Sequence, residues 1–228
     1  MLRTLLTTTL AAALLPLGAA EPALTYFGRA TVKLASSQNY VIYIDPFAPG
    51  DHREPADLVL VTHGHDDHNK LSSIPLKPGA IVVAPAGAVK AQGARAVKES
   101  EVFTAGPATV MVVPAYNDNH GREGSVGYVV SLEGVKVYHA GDTSYIPEMA
   151  NLASLQIDYA LFPTDGFWNM GGEEARRCAD AVKARHALAM HSSPKGLHSA
   201  ELAAKLKGPD VLPLGPGETL VLRKSANP

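Results

Sequence analysis

The sequence predicts an α/β protein built from two packed β-sheets flanked by helices. Three observations predict it. The first half of the chain beyond residue 20 is a series of short β-like runs punctuated by turns; the second half alternates strand and helix; and no long linker, low-complexity tract or fixed-period repeat separates them. A chain of 228 residues can bury a large core, and one compact domain over 21–228 is the expected organisation.

LTYFG, TVKLAS and YVIYIDP read as strands from their β-branched and aromatic content. ADLVLVT is a buried strand by its apolar run, and it leads directly into VTHGHDDHNK. IVVAP follows as another strand. The segment from Ala86 to Lys98 reads as a helix despite Gly87 and Gly93, with RAVKE at Arg95 on its solvated face. EVFTAG, TVMVVPAY, VGYVVSLEG and VKVYHAGD are four further strands. The Glu133-Gly134 pair marks a hairpin turn between the last two. From Ile146 the order becomes helix, strand IDYALFP, helix EEARRCADAVKA, strand HALAMH, a helix from Ser199, and a last strand in VLPLG or TLVLRK.

Composition narrows the function classes. Charged residues make up 18% and the formal net charge is −2, with no block of Lys or Arg, so a nucleic-acid partner is not expected. MLRTLLTTTLAAALLPLGAA has one Arg, an apolar stretch, and small residues ending Gly18-Ala19-Ala20. That is the pattern of a secretory signal peptide over 1–20, cleaved after Ala20. The apolar stretch is short for a spanning helix and is interrupted by Pro16, so no stable membrane insertion is expected after cleavage. A periplasmic or secreted protein is the expectation. Cys178 is the single cysteine, which excludes an intramolecular disulfide; its place in an amphipathic pattern reads as a packed structural thiol.

The candidate site residues share one placement. His63, His65, Asp67 and His68 follow the strand ADLVLVT. Asn117, Asp118 and His120 follow TVMVVPAY; Asp142 follows VKVYHAG; Asp165 follows IDYALFP; and His191 ends HALAMH. Loops at strand ends along one sheet edge can converge on one site. His63 and His65 are two residues apart, so in extended backbone they project the same way and can grip one ion. Asp67 and His68, where a helix is expected to begin, can reach a second. Imidazole with carboxylate suits zinc, manganese or iron better than calcium. Among the other histidines, His139 is expected to support the site by hydrogen bonding, and His52, His186 and His198 to be surface or packing residues. Asp45 orients a ligand or starts a turn with Pro46. Trp168 and Met170 either line a cleft or pack.

THGHDDH resembles the signature of the metallo-β-lactamase superfamily. YIDPF, VPAYN, GYVV, YHAGDT, the DYALFP…M…EEA stretch and ALAMH resemble, in order, blocks of its metal-dependent hydrolase branch, which includes the ascorbate-phosphate lactonases. The resemblance implies a four-layer αββα sandwich and a mono- or dinuclear centre. It places His63 and His65 on a first metal, Asp67, His68 and His191 on a second, and Asp142 bridging both. Many relatives carry a histidine near Asn117; here the nearest imidazole is His120, so either His120 completes the first site, or Asn117 gives a weaker oxygen ligand, or the first site is looser and the enzyme works with one metal. His120 is preferred because imidazole binds divalent transition metals better than an amide.

The resemblance and the ligand pattern together imply a hydrolase with zinc, two ions by preference, and manganese or iron as alternatives; the signal-peptide pattern makes it an exported one. An ion-activated water would attack an ester, lactone, amide or phosphodiester of a small molecule, with Asp67 and Asp142 as the catalytic carboxylates that orient it and move its proton. Two other readings compete: a mononuclear iron oxidoreductase on the same fold, and a non-catalytic extracytoplasmic metal-binding protein. The sequence carries no expectation of oligomeric state.

Overall fold

The structure is a computed structural model that describes residues 21–224. The expected signal peptide lies outside the described residues. Strand-forming residues build two sheets. The first contains β1 (Ala23–Gly28), β2 (Thr31–Ala35), β3 (Val41–Ile44), β4 (Ala56–Leu60), β5 (Leu76–Pro85) and β6 (Arg95–Val97). The second contains β7 (Val102–Ala105), β8 (Ala108–Pro114), β9 (Val126–Leu132), β10 (Val135–His139) and β11 (Tyr159–Pro163). After α1 (Gly172–Val182), β12 (His186–Met190) joins the second sheet; after α2 (Ala200–Ala203), β13 (Thr219–Val221) returns to the first. The orders are β13-β1-β2-β3-β4-β5-β6 and β12-β11-β10-β9-β8-β7.

Period-two alternation explains how the first sheet is covered on both faces. Leu24, Tyr26, Ile42, Ile44, Leu58 and Leu60 face the core between the sheets, where they meet Val110, Val112, Tyr128, Val130 and Val137. Their neighbours Phe27, Val41, Tyr43, Val59 and Val61 form a second apolar cluster on the opposite face. Cutting Leu60 back to Ala in that central layer would cost about 2–5 kcal/mol. On the second sheet, α1 presents Ala175, Cys178, Ala179 and Val182, a one-sided helical stripe, and packs against β11. Lys183, in the left-handed region at φ 54°, ends that helix.

Register shows why the site forms where it does. β3, β4, β5 and β6 run parallel, while β2 runs antiparallel to β3. The β1–β2 turn at Arg29, the end of β3 at Asp45 and the end of β4 before His63 therefore lie on one edge. In the second sheet β8 and β9 are antiparallel, β9 and β10 antiparallel, and β10, β11 and β12 parallel. The ends of β8, β10, β11 and β12 consequently share an edge too. The Val126 N–H donates to the Thr62 carbonyl at 2.9 Å, and the Tyr128 hydroxyl to the Val61 carbonyl at 2.8 Å, tying the two edges together.

Several expectations change. Ala86–Lys98 is not helical: the glycines Gly87 and Gly93 take φ of 81° and 80°, which turn the chain out of any helix, and Arg95–Val97 pairs with β5. RAVKE is thus part of an edge strand, with Val97 turned inward. The helix expected from Ile146 is a 3-10 helix over Pro147–Leu155, and no α-helix begins at Asp67 and His68, which lie in a turn before a short 3-10 segment, Leu71–Ser73. The last strand is Thr219–Val221; within VLPLG, Val211 makes a single bridge to Ala187. The β9–β10 hairpin forms as expected, with Glu133 and Gly134 both at positive φ, as a two-residue turn requires. Among the described residues no helix is long and apolar enough to cross a membrane.

Candidate metal centre

The two tied edges bring His63, His65, Asp67, His68, His120, Asp142 and His191 together. Their ligand atoms form three overlapping groups, each lying within 4.8 Å: His63 with His65 and His120, His63 with His68 and Asp142, and Asp67 with His68 and His191. Nε2 of His63 is 3.0 Å from Nδ1 of His65. Oδ2 of Asp142 lies 3.4 Å from Nε2 of His120 and 3.5 Å from Nε2 of both His68 and His191. One carboxylate oxygen therefore faces an imidazole from three different loops. Asp118 joins none of these groups.

The turn that carries Asp142 is tightly specified. Gly141 takes φ 67°, and a Cβ there would meet the Val126 carbonyl oxygen at 2.7 Å. His139, wholly buried, accepts from the Gly141 N–H on Nδ1 at 3.3 Å, so Nε2 carries the hydrogen and donates to the Ala30 carbonyl at 2.9 Å. It supports the Asp142 turn, as expected. His52 packs on Phe27 and Tyr43, and His198 on Tyr26.

Each buried imidazole has a partner behind it. His68 Nδ1 is 2.7 Å from Asp45 Oδ2, His191 Nδ1 is 3.1 Å from Asp165 Oδ2, His120 Nδ1 is 2.9 Å from Asn117 Oδ1, and His63 Nδ1 is 3.1 Å from the Thr62 hydroxyl. Such contacts fix ring orientation and leave the far nitrogen of His68, His120 and His191 aimed at the cluster. Asp45 is therefore an orienting residue rather than only the start of a turn, and Asn117 stands behind His120 with its amide oxygen already engaged.

Charge and burial act against each other here. Burial pushes the His63 imidazole down to about 3. Burial also opposes a proton on His68 and on His191, yet the Asp142 carboxylate and its neighbours outweigh it, holding His68 well above the usual range and His191 at about 9. Burial disfavours charge on Asp142 as well, but His68 and His191 hold its carboxyl well below the usual carboxylate range. Four carboxylates, Asp45, Asp67, Asp142 and Asp165, thus surround two imidazoles in a low-dielectric site, a field that attracts cations.

The donor set fits divalent ions. Nε2 of His68 and Oδ1 of Asp142 are buried and have no hydrogen-bond partner, which is costly for a polar atom unless a cation takes its lone pair. Imidazole nitrogens and carboxylate oxygens in this proportion suit zinc, manganese or iron.

Sequence reasoning missed Arg29. Its guanidinium reaches Asp67 Oδ2 at 3.3 Å and donates to the Ser193 carbonyl at 2.7 Å, while its own carbonyl accepts from the His191 N–H at 2.6 Å. Arg29 and His191 are both non-glycine residues at positive φ, 49° and 42°. The available signal was its position in the short turn between two strands at the ligand edge. A cleft of about 620 Å³ opens over the cluster, lined by Arg29, Phe47 and Trp168 above Asp67, Asp142 and His191. Met170, by contrast, is core, with its sulfur 3.5 Å from that of Cys178.

Residues 23–191 match the family described as the beta-lactamase superfamily domain. The chain belongs to this superfamily. Within it, the chain is 35% identical over 227 residues to a UPF0173 metal-dependent hydrolase of Pyrococcus furiosus, covering 87% of this chain and 98% of the relative. A solved structure described as a metal-dependent hydrolase from Parabacteroides distasonis superimposes with TM-score 0.73 at 28% identity, over 85% of this chain and 92% of that one. A Thermotoga maritima protein described as a zinc-dependent hydrolase of the metallo-beta-lactamase superfamily shares the fold at TM-score 0.56 and 24% identity, over 77% and 78% of the two chains. This beta-lactamase superfamily member is therefore a metallo-hydrolase of the UPF0173 kind. Its two mixed sheets with few helices match the superfamily's α/β sandwich, the fold class expected.

Proposed function

We propose that the chain is an exported zinc hydrolase acting on an ester, lactone, amide or phosphodiester of a small molecule. The observation that carries the reading is Asp142 Oδ2 within 3.5 Å of Nε2 of His68 and His191 and 3.4 Å of that of His120. A carboxylate so placed would be shared by the two groups of ion-holding residues. His63, His65 and His120 would hold the first with Asp142; Asp67, His68 and His191 would hold the second with Asp142. Divalent ions there would supply Lewis acidity and water acidified to near neutral pH.

The chain's own groups perform the rest. Asp67 opens onto the cleft and is kept ionised by His191, His68 and Arg29 although burial opposes it. It and Asp142 are the acceptors for a proton from an attacking water and the carriers that return it to the leaving group. The cleft volume suits a small molecule rather than a polymer. The net charge of −2 favours that choice over nucleic acid. Export is supported by the leader-like Met1–Ala20 stretch, which the family match at 23–191 leaves out.

Elemental analysis of the purified protein with an ester, lactone, amide and phosphodiester panel tests this. Two zinc ions per chain and hydrolysis abolished by Asp67→Ala are expected. One iron per chain with oxygen consumption would overturn it in favour of an oxidoreductase. Bound zinc with no member of the panel cleaved would favour a non-catalytic metal-binding protein.

A further inference from the structure

The loop from Asp165 to Asn169 leaves two large aromatic rings in water, Phe167 at 67% and Trp168 at 46% exposure, and of the two Trp168 lines the cleft. Exposed rings on a loose loop would mean little. This loop is held from every side. Oδ1 of Asp165 accepts the N–H groups of Phe167, Trp168 and Asn169 at 2.8, 2.6 and 3.3 Å. The Trp168 carbonyl accepts from the amide groups of Asn117 and Asn119 at 3.1 and 3.0 Å, and its indole N–H donates to the Pro194 carbonyl at 3.3 Å. The polar ends of Trp168 are thereby satisfied within the protein, and the indole lines the cleft alongside Phe47 and Pro194.

The same loop touches the back of the centre on both sides. Oδ2 of Asp165 lies 3.1 Å from Nδ1 of His191, and Asn117, bonded to the Trp168 carbonyl and to Asn169 Oδ1, stands behind His120. The aromatic wall is thus rigidly referenced to the two imidazoles proposed for different ions. An immobile apolar surface beside a polar floor gains binding energy from apolar atoms without an ordering cost.

Resting on the proposed hydrolase activity, we infer that the substrate carries an apolar acyl or aryl group next to the bond cleaved, and that Trp168, with Phe47 and Pro194, is the surface that receives it. Small, fully polar substrates would leave that surface wet and be turned over poorly.

Two readouts on the zinc-loaded full chain test the inference. With p-nitrophenyl acetate, butyrate, hexanoate and octanoate, kcat/KM is expected to rise roughly two- to fourfold per added methylene, the range for partial to full burial. Trp168→Ala should flatten that slope at wild-type ion content, and Trp168→Phe should restore most of it. Trp168 is the single tryptophan, so its emission reports this loop alone. Octanoate should shift it to the blue saturably, acetate should not, and Phe47→Ala should weaken the octanoate response. If no ester is cleaved but octanoate still shifts the emission, the hydrolase reading fails and the apolar subsite stands. A slope that survives in Trp168→Ala, or emission indifferent to octanoate, overturns the inference.

Discussion

Asp45 accepts the Nδ1 proton of His68 across 2.7 Å, with both side chains wholly buried. The same carboxylate accepts the N–H and the hydroxyl of Thr62, each at 2.7 Å. Burial opposes its charge, but His68 holds its carboxyl below the usual range, so Asp45 is the acceptor and His68 the donor. That contact leaves His68 Nε2 aimed at Asp142.

Asp45→Asn keeps the shape and one acceptor oxygen but ends the control over the His68 ring. Ion affinity is expected to fall about 10- to 100-fold, measured by competition with a chelator of known affinity. Asp45→Ala goes further, because it strands the Thr62 donors and His68 in the interior. A loss of about 3–5 kcal/mol in chemical denaturation is expected.

His120 and Asn117 give opposite signatures. His120→Ala should remove one ion per chain in elemental analysis. Asn117→Ala should keep the stoichiometry and weaken binding about tenfold, since it only orients the ring. The reverse ranking would make Asn117 the ligand.

Gly141→Ala probes the turn beneath Asp142. A methyl group at φ 67°, 2.7 Å from a carbonyl oxygen of β9, forces the turn to move. The expected cost is about 2 kcal/mol or more in stability, from the left-handed penalty and the clash together. Weaker binding of both ions should accompany it, because Asp142 moves with the turn.

Cys178 sets a pH window unrelated to the centre. Burial pushes its thiol up from 9.0 to about 12. A folded value raised above the unfolded one means the contribution to stability is whole below about pH 9 and is lost as pH rises toward 12. The stability of wild type relative to Cys178→Ala should therefore fall as pH rises above about 9. Thiol reagents at pH 8 should label Cys178 only in denaturant.

The sequence made the strands legible because alternation and apolar runs are local properties. The apolar run of ADLVLVT marks a strand buried on both faces, with Leu58 and Leu60 on one and Val59 and Val61 on the other. The shared placement of His63, Asp142 and His191 after strands was visible for the same reason, and the register turned that placement into proximity. Arg29 was not legible, because its contacts with Asp67 and His191 exist only once the β1–β2 turn meets loops from both sheets. The 86–98 segment failed differently: its alanines and lysines favour a helix, but two glycines at positive φ decide the path. Trp168 and Met170, neighbours in one loop, could not be told apart until the structure turned one to the cleft and the other to the core.

None of the clustered histidines and aspartates lies within a strand; every one is carried on a loop that leaves the sheets. The framework and the reactive cluster can therefore be altered independently. Replacing a cluster residue asks a question about chemistry, and the sheets give the answer a stable background. The same division lets a lineage trade one substrate for another by rewriting a few loops, with the scaffold beneath inherited unchanged.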